Sequence, residues 1–216
     1  MAHACAGDNA RAARHGGGMS TIPIILLAAG QSSRMGGADK LMRPIDGVPL
    51  LRRSAMIANQ IGPVVVALPP APHPRYEVLR DLDVRLAEIT DAAEGMNASL
   101  RGALSHIPET ARAAMVLLAD LPDLTAEDLR AVLASTDRFP NNLIWRGACA
   151  DGTPGHPVIF DRTLFAELRS LEGDGGAQNV VRAHKSRVHL HPLPGRHAVF
   201  DLDTPQDWAA WEAAQT

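Results

Sequence analysis

The chain lacks the features of extracellular, membrane and nucleic-acid-binding proteins. Only two cysteines, Cys5 and Cys149, stand among 216 residues, far apart and without a partner motif. That argues against a disulfide framework or a cysteine zinc cluster, and for a reducing cytoplasm. No apolar run approaches the ~18 residues of a membrane span. The N-terminal stretch has no apolar h-region, so no secretory signal is expected. The formal net charge is −3, which excludes the broad basic field of a nucleic-acid binder. A polyphosphate would have to be held by local charges. Two familiar phosphate motifs are also missing. Lys40 follows no glycine and precedes Leu41, which rules out Gly-x-x-x-x-Gly-Lys-Ser/Thr, and Gly30 is followed by Gln31-Ser32, which rules out Gly-x-Gly-x-x-Gly.

What the chain has is a loop after a buried strand. Ile24-Ile25-Leu26-Leu27 cannot alternate inward and outward, so the strand is buried on both faces, as in a parallel sheet covered by helices. Ala28, Ala29 and Gly30 then let backbone N–H groups approach a ligand closely. Ser32 and Ser33 add hydroxyls, and Arg34 and Lys40 add the loop's two positive charges. Open α/β sheets bind ligands at the carboxyl ends of their strands, and small residues, backbone donors and fixed cations there suit a polyphosphate.

At 216 residues, with 46% hydrophobic content, one α/β domain with a substantial core is expected. Residues 1–20 read as a disordered tail and residues 21–216 as the domain. Arg11 and Arg14 suit a transit peptide, but Asp8 and the Gly16-Gly17-Gly18 run argue against one. Met19 directly precedes the first strand and is a candidate start.

Further along, a helix is expected from Pro49 to Gln60, a buried strand over Pro63–Leu68, a helix from Pro74 to Leu82 and a short strand near Val84–Leu86. His73 falls in a proline-rich loop and reads as solvated. Gly95-Met96-Asn97-Ala98-Ser99-Leu100 is a glycine loop passing into a helix, whose unpaired N–H groups can receive an acceptor. Ala113–Ala119 is another buried strand and ends in Asp120-Leu121-Pro122. A carboxylate at that rim is costly unless it meets a cation, and Mg²⁺ takes hard oxygen ligands shared with substrate phosphates. Thr125–Asp128 is a near capping box with Asp at its last position. Strands over Asn141–Trp145 and Gly155–Phe160 follow, then a short helix at Leu164–Leu168 and a loop, Gly173-Asp174-Gly175-Gly176-Ala177, opening another helix. His189 and His191 share a strand face, but no third metal ligand is evident, so both read as surface residues. Thr204 as N-cap and Pro205 at the first position start a final helix, with Trp208 and Trp211 packing as core.

Five segments together resemble the MobA-like NTP transferase family, and within it the molybdenum cofactor (molybdopterin) cytidylyltransferases. They are Leu27-Ala28-Ala29-Gly30-Gln31-Ser32-Ser33-Arg34-Met35-Gly36-Gly37-Ala38-Asp39-Lys40, Gly95–Leu100, Asp120-Leu121-Pro122, Gly155-His156-Pro157-Val158, and Asp201-Leu202-Asp203-Thr204-Pro205-Gln206-Asp207. Gly173–Ala177 is similar to a sixth segment near the acceptor. Gln206 departs from the usual Glu, outside the metal pair.

The resemblance implies a doubly wound, mainly parallel, Rossmann-like sheet of the nucleotide-diphospho-sugar transferase type. It implies transfer of CMP from CTP to the terminal phosphate of molybdopterin with release of pyrophosphate. Arg34 and Lys40 would be catalytic, and Asp120 and Asp203 would bind Mg²⁺. Leu27, Ala28, Ala29, Gly30, Ser32, Gly95, Ser99, His156 and Asp174 would bind nucleotide or acceptor. The expected partners are CTP or GTP, a phosphorylated acceptor, and transiently a molybdoenzyme or its chaperone, with no nucleic acid and no membrane. CTP is expected because the Ala28 and Ala29 methyls would narrow the slot beside the base. The alternatives are another acceptor, a sugar phosphate or methylerythritol phosphate, or a non-catalytic protein that delivers molybdopterin.

Overall fold

The four apolar residues of β1, Ile24–Leu27, sit in the interior of a seven-stranded sheet in the computed structural model, which describes residues 21–214. The expectations for the tail and for Cys5 lie outside those residues. The elements follow as β2 (Pro44–Ile45), β3 (Val48–Pro49), α1 (Leu50–Asn59), β4 (Val64–Leu68), α2 (Pro74–Glu77), β5 (Arg85–Glu88) and α3 (Met96–Leu104). Then come β6 (Ala113–Leu118), α4 (Ala126–Arg138), β7 (Ile144–Ala148), β8 (Pro154–Asp161), α5 (Phe165–Arg169), α6 (Gln178–Ala183), β9 (Val188–Pro192) and α7 (Pro205–Ala214). The strand order is β5-β4-β1-β6-β8-β7-β9. β1 pairs in parallel with β4 and β6, Ile24 lying beside Val64 and Met115. β8 alone runs against its neighbours β6 and β7.

Burial on both faces explains the apolar runs. Ile24 and Leu26 point into one core with Val66, Met115, Leu129 and Trp208. Ile25 and Leu27 point into the other, with Ala67, Leu100, Val116 and Phe160. The Thr125 capping box is present: its hydroxyl accepts from the Asp128 N–H, and the Asp128 carboxylate accepts from the Thr125 N–H. Thr204 and Asp207 repeat that arrangement at the start of α7. Trp208 is fully buried, and Trp211 packs edge-on against it while its Nε1 donates to Asp123. His189 stacks on Phe139, and His191 Nδ1 lies 3.0 Å from the Ser135 hydroxyl.

Three local differences have physical causes. The helix expected from Pro74 to Leu82 stops at Glu77 and continues as tighter turns, with Leu79 N–H bonded to Tyr76 and Leu82 N–H to Leu79. These turns seat Leu79 in the core at 1% exposure, so tertiary packing overrides helix propensity. The turn at Asp46-Gly47 is the tip of a small hairpin, β2–β3. His73 is not a free loop residue: it is the N-cap of α2, its ring nitrogen accepting from the Arg75 N–H.

Candidate active site

A cleft of about 490 Å³ opens above the carboxyl ends of β1 and β6. Leu27, Ala28, Ala29, Gly30, Ser32, Arg34 and Lys40 of the first loop line it, with Gly95 and Ser99 at the start of α3, Asp174, Asp120 and Asp203. Four of the five segments named above therefore converge, together with Asp174 of the sixth; Gly155-His156-Pro157-Val158, with His156, is not part of the lining. His156 sits one strand further along, on β8, with Nδ1 3.4 Å from the Val116 carbonyl. The β6–β8 pairing ends at Val116–Val158, where Pro157 has no N–H to continue it, and the His156 ring lies against the freed Val116 carbonyl.

The loop is held by a residue the sequence did not single out. Arg75, 2% exposed, donates from Nε and Nη2 to the two oxygens of Asp39 at 2.8 and 2.7 Å, and from Nη1 to the Ala28 carbonyl at 2.7 Å. Ser32 is drawn into the same network. Its hydroxyl lies 3.3 Å from Asp39 Oδ1 and accepts from the Lys40 N–H. Ser32 thus braces the loop from a left-handed conformation, φ +53°. Burial works against the Asp39 charge, but Arg75 outweighs it and keeps the carboxyl below its usual pKa.

The carboxylates are placed by strand ends and backbone bonds. The Ser54 hydroxyl on α1 donates to the Ala119 carbonyl at 3.0 Å, fixing the end of β6. The Leu202 N–H donates to the Asp120 carbonyl, which brings Asp201 and Asp203 to either side of it. The same segment is fastened to β8, where the His156 N–H donates to the Ala198 carbonyl at 2.7 Å. Gly155 makes that approach possible, since a Cβ there would lie 1.9 Å from the Ala198 oxygen. Gly95 does the same for the opposite wall: at φ +113°, its Cβ would lie 2.7 Å from the Asp174 Cβ.

Lys40 Nζ donates to Asp120 and to Asp203, and Arg34 also pairs with Asp203. Burial opposes the ammonium charge, but the two carboxylates outweigh it and raise the Lys40 pKa. Asp201 joins the expected pair: one oxygen each from Asp120, Asp201 and Asp203 lie within 4.8 Å of one another. Burial, then the charges of Asp203 and Asp120, push the Asp201 carboxyl above its usual pKa. Asp120 Oδ1 is buried with no hydrogen-bond partner. An unpartnered buried carboxylate oxygen beside two more carboxylates is costly alone and fits a hard divalent cation. Proximity in the fold, which sequence spacing does not reveal, brings in Asp201.

Comparison with known proteins agrees with this geometry. Residues 24–188 match the model of the MobA-like NTP transferase domain. The chain belongs to that family. It is a nucleotidyltransferase by that membership. A relative from Trichormus variabilis, "Probable molybdenum cofactor guanylyltransferase", is 30% identical over 88% of this chain and 90% of its own length. The Mycobacterium sp. strain JC1 homolog of Mycobacterium tuberculosis rv0371c superposes with a TM-score of 0.76 at 27% identity, covering 90% of this chain and 96% of that one. Rv0371c of M. tuberculosis H37Rv itself, solved as a complex with manganese, gives 0.73 at 27% identity over 88% of this chain and 97% of its own. Among the described residues, no helix is long and apolar enough to cross a membrane.

Proposed function

We propose that this protein transfers a nucleoside monophosphate, GMP from GTP, to the phosphate of the molybdenum cofactor, with Mg²⁺ as the metal. The observation that carries the reading is the meeting of Lys40 with both Asp120 and Asp203 at one rim, beneath a loop built to receive phosphates. A binding protein that only delivered a cofactor would not need that pairing of cations with a carboxylate triad.

In the reaction, an oxygen of the acceptor phosphate bonds to the α-phosphorus of the nucleotide. The bond from that phosphorus to the bridging oxygen breaks, and pyrophosphate leaves with the electron pair. A phosphomonoester is already an anion at neutral pH, so no strong general base is required. The difficulty is to bring two anions together and stabilise charge on the leaving group. Lys40, Arg34 and the loop N–H groups are preorganised to do so. Mg²⁺ held by Asp120, Asp201 and Asp203 would supply Lewis-acid charge to nucleotide oxygens.

The choice of GTP rests on the naming of the relatives. The size argument for CTP is weak, because Ala28 and Ala29, though they line the cleft, are only 2% and 3% exposed and pack largely into opposite cores. The test is pyrophosphate release from purified protein with each NTP, Mg²⁺ and molybdopterin or a sugar phosphate. A higher kcat/KM for GTP with molybdopterin is expected. Preference for CTP would overturn the guanylyl assignment only, and no release with any pair would overturn the reading.

A further inference from the structure

Past Leu118 the sheet continues through β8 and β7, and the end of β7 reaches the same rim as the start of β8. The β7–β8 register slips between Arg146 and Ala148. Gly147 allows the slip, since a Cβ there would lie 2.5 Å from the His156 carbonyl oxygen. Such bulges re-aim side chains beside active sites. Arg146 sits at this one, two residues after Ile144 and therefore on the sheet face that also carries Leu27 and Ala29 under the cleft. Its Nε donates to the Gly155 carbonyl at 3.2 Å, which places the guanidinium beside the strand start that anchors the Asp201–Asp203 segment.

Arg146 is half-buried, and among the described residues no ion pair joins it to a carboxylate. Burial lowers its pKa. A desolvated charge without a counter-ion is costly, and such a cost is retained where a ligand supplies the missing charge. His156 cannot do this work at neutral pH. The Val116 carbonyl only accepts, so Nδ1 carries the ring proton, and burial takes the pKa to about 4, leaving Nε2 as a lone pair.

We propose that Arg146 is the cation of a second-substrate subsite and receives a phosphomonoester group of the acceptor, an inference that rests on the nucleotidyl-transfer reading above. The nucleotide then lies over β1 and α3, and the acceptor approaches along β8 and β7.

Titration calorimetry on wild type, Arg146→Gln and Arg146→Lys tests it, with phenyl phosphate and molybdopterin as probes beside a saturating non-reactive GTP analogue. Phosphomonoester affinity should fall tenfold or more in Arg146→Gln and less in Arg146→Lys, with nucleotide Kd unchanged. The melting temperature of Arg146→Gln should change by no more than a few degrees, because loss of the Nε bond to the Gly155 carbonyl is offset by removal of a half-buried charge without a counter-ion. A purely structural arginine would lower it by more. Equal phosphomonoester affinity in wild type and Arg146→Gln, no wild-type binding of either probe, or an equal loss of nucleotide affinity would overturn the assignment. Absence of pyrophosphate release by wild type would sink the transferase reading, and the binding measurements would still decide Arg146.

Discussion

Arg75 grips both oxygens of Asp39 across 36 residues of chain while its remaining nitrogen holds the carbonyl at the end of β1. The loop that carries Lys40 is therefore clamped from beneath before any ligand arrives. Arg75→Met should destabilise the protein by about 3–5 kcal/mol, the usual cost of breaking a buried pair from one side. Arg75→Lys keeps the charge but not the planar fork, so it should melt closer to wild type yet raise the nucleotide KM about tenfold. Melting and steady-state kinetics on both variants check this, and an unchanged KM in Arg75→Lys would reduce Arg75 to a packing role.

Asp120→Asn keeps the shape of the strand end and removes its charge. Turnover should fall at least about a hundredfold with the fold retained, and the divalent-metal concentration for half-maximal activity should rise. Activity within a few-fold of wild type would take Asp120 out of the metal set. Asp201→Asn should show a smaller effect of the same kind.

The two loop cations should behave differently. Arg34 has a side chain 71% exposed, so Arg34→Ala should leave the melting temperature unchanged while lowering kcat/KM. Lys40, 14% exposed between two carboxylates, should cost both stability and rate in Lys40→Ala. Losing a donor aimed at developing charge typically costs about 10²–10³ in rate. Loss of stability alone in both variants would make the loop structural.

His156 predicts a dependence of stability on pH. The unfolded ring takes its proton near 6.5 and the folded ring near about 4. At pH 7 both are neutral and nothing is lost. Between those values the unfolded chain binds a proton that the folded one does not, so stability falls as pH drops, by up to about 3 kcal/mol. Denaturation of His156→Gln across pH 4–7 should lack this slope, and an identical slope in both proteins would refute it.

Gly155→Ala should act at a distance. The added methyl collides with the Ala198 carbonyl and must displace the segment bearing Asp201 and Asp203. We expect a loss of about 1–3 kcal/mol in stability and a drop in kcat larger than the change in nucleotide KM.

Much of this site can be read along the chain because its parts are local. β1, the small-residue loop, Asp120 after an apolar strand and Asp203 before a capped helix each announce themselves within a dozen residues. Arg75 does not, because its meaning lies in partners on another loop. Asp201 reads as one more exposed acid until the Leu202 backbone bond turns the segment toward Asp120. The Gly155-His156-Pro157 pattern points His156 to the cleft, but its ring lies against the Val116 carbonyl of β6, a partner forty residues away that the local sequence does not show. The reversed direction of β8 leaves no mark on composition, since a strand buried on both faces is apolar either way.

Lys40 and Asp203 meet across 163 residues, and the last strand pairing is complete at Pro192. The acidic triad is therefore completed by chain that follows the last strand of the sheet. A nascent chain lacking the segment after Pro192 has the phosphate loop but neither Asp201 nor Asp203. Under the metal role proposed for the triad, a chain clipped after Pro192 keeps Asp120 alone of the three carboxylates and should fail to release pyrophosphate from a triphosphate.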